Sequence, residues 1–201
     1  MEGIEKELIK EAKLGNMGAF ESLIIRYESK VYNIAYKMFN NEEDAKDVSQ
    51  EIFIKLYRNL IKFNEQSKFS TWLYRVAVNT CLDEIRKRKK DKENLTSNVY
   101  ETEDGEIERE IPSTYNMPEA ELIKNDRIEK LRYALTLIKE DHRSVIVLKD
   151  LEGYSYNEIA DTLNITIGTV KSRISRARES LKETLEQIDS DLRQNTREEG
   201  M

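Results

Sequence analysis

A stretch near the C-terminal end of the sequence combines four cations with helical spacing. Lys171, Arg173, Arg176 and Arg178 occur within eight residues and have no acidic residue among them. The apolar residues of the stretch, spaced by four, three and four, fall on the opposite side of a helix: Val170, Ile174, Ala177 and Leu181. One face would pack on a neighbouring helix, and the other would present the cations.

Lysine and arginine can read guanine edges in the major groove, and flanking arginines can pair with phosphates. Only a short turn, residues 164–166, separates this stretch from a preceding helix, as in a helix-turn-helix motif. A solvated helix surface is the alternative, and the absence of acidic residues favours DNA. The predicted DNA-binding side chains are Lys171, Ser172, Arg173, Ser175, Arg176 and Arg178.

A second stripe lies in the N-terminal half, where Trp72, Arg75, Asn79 and Arg86 share one face of a predicted helix. An indole, a guanidinium and an amide in line can stack on unpaired bases and hydrogen-bond to them. The basic run at 86–90, which includes Lys87, could hold the nucleic-acid backbone. Taken singly, Trp72 is equally well explained by partial burial, and the basic run is better explained as a solvated helix end.

The loop before this helix, residues 63–68, is polar and has aromatic residues at its ends. It could receive a base taken out of the stack. We therefore add Phe63 and Lys68 to the predicted nucleic-acid site. The apolar side of the helix includes Cys81, which reads as a small core residue and not as a nucleophile.

A third group of residues is acidic. Asp47, Gln50 and Glu51 lie on one side of a predicted helix, close to Asp44. Carboxylates repel phosphate, so this face would serve a basic protein surface. A solvated helix face is the alternative, and alone it would be preferred. A metal-hydrolase site is weaker still, because no histidine or second carboxylate motif supports it.

The elements that position these residues are all predicted to be helices. Apolar residues recur at helical spacing in two blocks, which read as helices at 4–14, 19–39, 41–62 and 70–90, then 119–138, 142–151, 156–163 and 168–188. Asn41 is the expected N-cap of the third helix, and Gly15 the stop of the first. The predicted fold is all-α, with an N-terminal domain at 1–90, a linker at 91–118, a helix-turn-helix domain at 119–188 and a tail at 189–201.

Charge and composition support this division. The net charge is −6, yet residues 91–121 alone hold ten acidic and two basic residues, so the rest has a small positive balance. Both prolines, Pro112 and Pro118, fall in this acidic segment, which we expect to be flexible. No apolar run is long enough to span a bilayer, and no signal peptide is recognisable. A single cysteine and a single histidine indicate a reducing cytoplasm and neither a disulfide nor a zinc site.

Taken together, these segments resemble the extracytoplasmic-function (ECF) sigma factors of bacterial RNA polymerase. Residues 44–55 (DAKDVSQEIFIK) are similar to the family's polymerase-binding helix, and residues 69–80 (FSTWLYRVAVNT) to its −10 recognition helix. Residues 151–160 (LEGYSYNEIA) and 167–178 (IGTVKSRISRAR) resemble its −35-binding helix-turn-helix. The resemblance covers nearly the whole chain, apart from the linker and the two ends.

The resemblance implies partners and roles. Asp47, Gln50 and Glu51 would meet the β′ clamp helices of core RNA polymerase, and the β flap would be a further contact. Asn79, with Trp72, Arg75 and the 63–68 loop, would hold the melted −10 strand. Lys171 and its neighbours would enter the −35 major groove. The resemblance implies control by an anti-sigma factor and needs no cofactor, metal or membrane insertion.

Two positions depart from the family pattern, which leaves the −35 sequence open. Lys171 stands where arginine is frequent, and Ser175 is smaller than the residue that some members carry. The main alternative is a helix-turn-helix regulator without sigma activity, whose N-terminal block would dimerise or sense a signal. Such a block would not need the stripe from Trp72 to Arg86. An enzyme, for example a nuclease using the acidic helix, is the third hypothesis and the least supported.

Overall fold

A computed structural model describes the backbone of residues 2–96 and 119–198, with side chains described for 3–91 and 127–191. All regular structure in these ranges is helical, which confirms the all-α prediction. The α-helices are α1 (Glu2–Lys13), α2 (Met17–Phe39), α3 (Glu42–Asn59), α4 (Phe69–Thr96), α5 (Glu119–Leu137), α6 (Glu140–Ile146), α7 (Tyr156–Leu163) and α8 (Ile167–Glu198). The flexible acidic linker was predicted at 91–118. Helix α4 occupies residues 91–96 of that segment, and residues 97–118 lie outside the described residues.

Three asparagines cap helix ends in the N-terminal domain. The Asn16 side chain accepts a hydrogen bond from the Ala19 N–H (3.2 Å) and starts α2. Asn40 then ends α2 in the left-handed conformation, at φ 51°. Asn41 caps α3 by accepting from the Asp44 N–H (3.0 Å), as predicted from the sequence. These caps satisfy backbone groups that the helix ends leave unpaired.

The core of this domain forms around α2, which packs against α1, α3 and α4. Its members are apolar side chains at helical spacing, and Val31, Ile34 and Ala35 of α2 are fully buried. From α4, Tyr74, Val78, Cys81 and Leu82 are buried on one face, in agreement with the predicted apolar side of that helix. The face of α4 that bears Asn79 is thereby turned outward.

The C-terminal domain places α7 and α8 in a helix-turn-helix arrangement. Ser155 and Glu158 form a capping box at the start of α7, and Asn164 ends α7 in the left-handed conformation, at φ 53°. The Thr166 hydroxyl then accepts from the Thr169 N–H (3.2 Å) at the start of α8. The predicted inner face of α8 is buried at Val170, Ile174 and Ala177 and half-buried at Leu181.

Three helices differ from the predicted bounds by more than three residues at one end. The element predicted at 142–151 is α6 followed by a π-helical turn, Val147–Leu151. Gly153, two residues after this turn, has φ 74°. Apolar spacing does not separate an α-turn from a single π-turn. The helices α4 and α8 both continue past their apolar pattern, to Thr96 and Glu198. Both extensions are mostly charged and polar, so the apolar periodicity that predicted these helices stops before the helices do.

The two domains pack against each other in this structure. Helices α6 and α7 contact α4, while α5 and the π-turn contact α2. Apolar side chains of both domains join one continuous buried cluster. The helices that carry the predicted nucleic-acid residues therefore lie close to this contact.

Candidate nucleic-acid and protein interfaces

The outer face of α8 presents the residues that the sequence placed there. Lys171, Ser175 and Arg176 are exposed, and so is Ser172, whose hydroxyl donates to the Thr169 carbonyl oxygen (3.0 Å). The apolar residues of α8 hold the helix from behind, so the cations project away from the domain. A protruding helix of this kind can enter a major groove, which admits one α-helix.

The two arginines that flank this face are engaged in ion pairs. Arg173 Nη2 lies 3.2 Å from a carboxylate oxygen of Asp141. Arg178 donates through Nε (3.1 Å) and Nη2 (2.6 Å) to the two oxygens of Asp150, and these bonds raise the pKa of Arg178. Exposed pairs contribute only about 0–1 kcal/mol. Phosphate can therefore replace these carboxylates at small cost.

Along α4, the side chains of the predicted stripe become more exposed from Trp72 to Asn79. Trp72 is half-buried, with its ring centroid 5.3 Å from that of Phe63 and 5.7 Å from that of Phe69. Arg75 is half-buried, and its Nε finds no hydrogen-bond partner among the described residues. Asn79 is exposed. Its amide is thus free to face a base, while Trp72 offers only part of its ring.

The 63–68 loop corrects one expectation. Phe63 is buried in the core, 4% exposed, so its ring cannot stack on a base in this structure. Lys13 fixes it from α1: the ammonium donates to the Phe63 carbonyl oxygen (2.6 Å) and lies 5.4 Å from the ring centroid. Lys68 is exposed, as predicted. Phe63, the aromatic residue at the start of the polar loop, therefore packs in the core beneath that loop.

The basic run at the end of the stripe is partly committed to other contacts. Arg86 lies 3.2 Å from Asp141 and 4.0 Å from Glu140, both in the C-terminal domain. Lys87 is exposed and 3.9 Å from Glu84. Arg88 ties the start of α3 to α4 through Asp44 (2.7 Å). Only part of this run is therefore presented freely, whereas the sequence suggested one uniform basic patch.

The acidic face of α3 is open. Asp47, Gln50 and Glu51 are all exposed, and Glu51 is 3.9 Å from Lys55 one turn on. Ile54 continues the same face at helical spacing and is 44% exposed. An exposed isoleucine beside carboxylates is typical of a protein contact in which a charged rim surrounds an apolar centre. Ile54 was not among the predicted interface residues, although its position, three residues after Glu51, is visible in the sequence.

Thiol and metal chemistry find no support in the described residues. Cys81 is fully buried, and burial raises the pKa of its thiol to about 12, so the thiolate that a nucleophile requires does not form near neutral pH. No group of three or more histidine, cysteine, aspartate or glutamate residues in these ranges could hold a metal ion.

Comparison with known proteins decides the family. Residues 23–91 match sigma-70 region 2, and residues 128–181 match sigma-70 region 4. The chain is 37% identical over 188 residues to the ECF RNA polymerase sigma factor SigW of Bacillus subtilis, covering 94% of this chain and all of that protein. The chain belongs to the ECF family of RNA polymerase sigma factors. It is therefore a transcription initiation factor, and a regulator without sigma activity is not favoured.

Other relatives of this sigma factor agree. The RNA polymerase sigma-H factor of Pseudomonas aeruginosa is 32% identical, with 92% of this chain and 95% of that protein covered. The ECF sigma-E factor of Escherichia coli is 34% identical, with 88% and 92% covered. Region 2 coincides with the domain that bears the α4 stripe, and region 4 with the domain that bears the α8 cations.

Two solved structures share the fold of this sigma factor. One is RpoE of Bartonella quintana in complex with the anti-sigma factor NepR, with a TM-score of 0.61, 24% identity, and 83% of this chain and 96% of that chain covered. The other is CnrH in complex with the cytosolic domain of CnrY, with the same TM-score and identity, and 91% and 97% covered.

Among the helices described in this sigma factor, none is both long and apolar enough to cross a bilayer.

Proposed function

We propose that α3 docks this sigma factor on core RNA polymerase, with Asp47, Gln50 and Glu51 facing the β′ clamp helices and Ile54 at the centre of the contact. The exposure of all four side chains on one face supports this role. A carboxylate-rich face suits a basic partner surface and gives register more than affinity. A contact of the C-terminal domain with the β flap completes the attachment.

The promoter roles follow from the two cationic helices. Asn79, Arg75 and the open part of Trp72, with Lys68 from the loop and Arg86 and Lys87 after it, hold the melted −10 strand. Lys171, Ser172, Ser175 and Arg176 face the −35 major groove, while Arg173 and Arg178 pair with phosphates. The observation that carries this proposal is the exposed, acid-free row on α8, on a domain separate from the Asn79 face of α4.

The remaining proposals concern the location of the protein in the cell and its regulation by a partner. We place the protein in the cytoplasm, where core polymerase and promoters are found, and assign it no catalytic step of its own. NepR is named as an anti-sigma factor in the structure that it forms with RpoE. An anti-sigma factor is the corresponding partner proposed for this chain.

Run-off transcription with purified core polymerase over a randomised promoter pool tests the assignment. We expect the chain to select templates with two separated conserved elements and to start transcripts downstream of them. Core polymerase alone is the control for non-specific starts. Selection of a single element, with no initiation until another sigma factor is added, would identify a regulator and refute the proposal.

A further inference from the structure

Helix α1 contacts the start of the loop that is assigned to the −10 strand. The Lys13 ammonium, in the last turn of α1, donates to the Phe63 carbonyl oxygen (2.6 Å) and lies 5.4 Å from the centroid of the Phe63 ring. The Phe63 N–H donates in turn to the Leu60 carbonyl oxygen (3.1 Å) and closes a short 3₁₀ turn. Both backbone polar groups of Phe63 and its ring are therefore held, so the point where the loop leaves the core is fixed.

The same helix contacts the residue that follows the loop, through one intermediate ring. The Tyr27 hydroxyl of α2 donates to a Glu5 carboxylate oxygen of α1 (2.6 Å). Burial and the bond to Glu5 raise the pKa of Tyr27, so its hydroxyl remains a donor at neutral pH. The Tyr27 ring meets the buried ring of Phe69, the first residue of α4, edge to face at 5.6 Å. Helix α1 thus holds the loop at Phe63 directly and at Phe69 through Tyr27.

Between these two ends the loop is open to solvent. The Asn64 side chain accepts from the Gln66 N–H (3.3 Å), and Glu65 between them has the left-handed conformation, at φ 60°. The exposed side chains of the loop are Asn64, Glu65, Gln66 and Lys68. A loop with fixed ends has less conformational freedom to lose when it binds, so its fit to one ligand depends on those ends.

We propose that α1 is a positioning element for −10 recognition: through Lys13 and Glu5 it fixes both ends of the 63–68 loop, so that the exposed loop residues meet one unpaired base in a single arrangement. Neither Lys13 nor Glu5 touches the DNA in this proposal. The recognition rests on the −10 role proposed above for the loop. The anchoring by α1 does not, so the two parts are tested separately.

Fluorescence of the free protein tests the anchoring. Trp72 is the only tryptophan in the chain, and its ring centroid lies 5.3 Å from that of Phe63. We expect Lys13→Met, which keeps an unbranched side chain and removes the ammonium, to shift Trp72 emission to longer wavelength and to raise its acrylamide quenching constant. Lys13→Arg should restore the parental values, because a guanidinium also donates to the carbonyl oxygen.

Lys10→Met is the matched control for this experiment. It removes the same charge from an exposed position on the same helix and should leave the emission and the quenching constant unchanged. Parental emission and quenching in Lys13→Met would overturn the anchoring.

Initiation with core polymerase tests the recognition, on templates that carry each of the four bases at each −10 position. We expect Lys13→Met to lower the preference for the favoured base by about threefold to tenfold at one position, the scale of one lost hydrogen bond. Preferences at the other −10 positions and at the −35 element should stay as in the parent protein. Lys13→Arg should restore the preference at the affected position, and Lys10→Met should leave every preference unchanged.

The other outcomes overturn the proposal in different ways. A uniform loss over all templates would show that Lys13 holds a phosphate instead of positioning the loop. Unchanged preferences with altered Trp72 emission would leave Lys13 a purely structural role.

A second variant serves if Lys13→Met does not fold, as judged by circular dichroism. Tyr27→Phe keeps the ring and removes the bond to Glu5, so it should lower the preference at a single −10 position too; unchanged preferences would then refute the proposal. Failure of the parent protein to initiate would refute the proposed function and the recognition with it, while the quenching result would still decide the anchoring.

Discussion

At the scale of single residues, Asn79 and Phe63 have opposite surroundings within one predicted site. Asn79 is exposed on α4, whereas Phe63 is buried between Phe69, Trp72 and Lys13. The same kind of substitution at the two positions should therefore alter different properties of the protein. An exposed amide is available to a base, and a buried ring supports the fold.

We expect Asn79→Ala to impair promoter opening or −10 preference and to leave core binding intact, because only a base contact is lost. Initiation is measured on a panel of −10 variants, and core binding by pull-down. A template whose −10 region is already unpaired by mismatches serves as the control, since it bypasses opening. Initiation equal to the parent protein across the panel would remove Asn79 from the −10 site.

Phe63→Ala should destabilise the protein by about 3–5 kcal/mol, the usual cost of deleting a buried aromatic ring. Urea denaturation followed by circular dichroism measures the change. Ile61→Ala is the matched control: Ile61 is 77% exposed and only two residues away, so its loss should cost little. A small effect at Phe63 would mean that the ring is not part of the core and could return it to the predicted DNA contacts.

At the scale of elements, α3 packs through one side and exposes the other, whereas α7 packs through one side and exposes its N-terminus. Helix α3 holds its place through Val48, Ile52 and Leu56, which leaves its acidic face free. Helix α7 has only eight residues, so its N-terminal cap makes up a large part of its local stability.

Replacing Gln50 and Glu51 together by alanine should weaken association with core polymerase and leave both domains folded, since neither side chain is buried. A pull-down with purified core polymerase measures the loss, and circular dichroism checks the fold. The pair Glu28→Ala and Ser29→Ala, exposed on α2, is the matched control for charge and polarity. Normal binding by the Gln50 and Glu51 variant would refute the α3 interface.

Ser155→Ala should cost about 1 kcal/mol, as expected for an N-cap serine. The Ser155 N–H (2.9 Å) and hydroxyl (2.7 Å) donate to the Glu158 carboxylate and lower the pKa of Glu158. This contribution is complete above the ordinary carboxyl pKa and is lost as the pH falls below it. Thermal unfolding should therefore show a smaller difference in acid than at neutral pH. Ser29→Ala is the control, and a pH-independent difference would contradict the capping box.

The sequence was sufficient for features set by local interactions. The N-cap at Asn41 depends on one side chain and a backbone group three residues away, so the residue types predict it. The buried face of α8 follows from periodicity alone. The end of α4 was missed because the helix continues after the apolar pattern stops.

Features that depend on distant residues could not be read from the sequence. The burial of Phe63 requires Lys13, 50 positions away, to cover it. The pairing of Asp141 with Arg86 depends on how two domains pack, and nothing in the spacing of either helix specifies that. The site residues themselves follow from residue type and helix face, which are local properties of the sequence.

At the scale of the whole molecule, the packing of the domains should depend on the planar guanidinium of Arg143. This arginine of α6 is buried, and it donates to the carbonyl oxygens of Met38 in α2 and of Thr136 (2.6 Å) in α5. We expect Arg143→Lys to enlarge the free protein, because one ammonium cannot satisfy carbonyl oxygens on two helices as a guanidinium does. Small-angle X-ray scattering should show a larger radius of gyration, with helical content unchanged. Arg58→Lys, at an exposed position of α3, should leave the scattering curve as it was. Superimposable curves for the Arg143 variant would contradict this role of Arg143 in the domain contact.

The acceptors around Arg143 have a consequence for how the protein responds to salt. Exposed pairs such as Arg86 with Asp141 are screened as ions are added, since the Debye length is about 10 Å at 0.1 M and shorter above it. A guanidinium held by neutral carbonyl oxygens inside the protein is screened far less. Rising ionic strength should therefore loosen the outer arginines first, and the two halves of the molecule should stay together after those arginines are released.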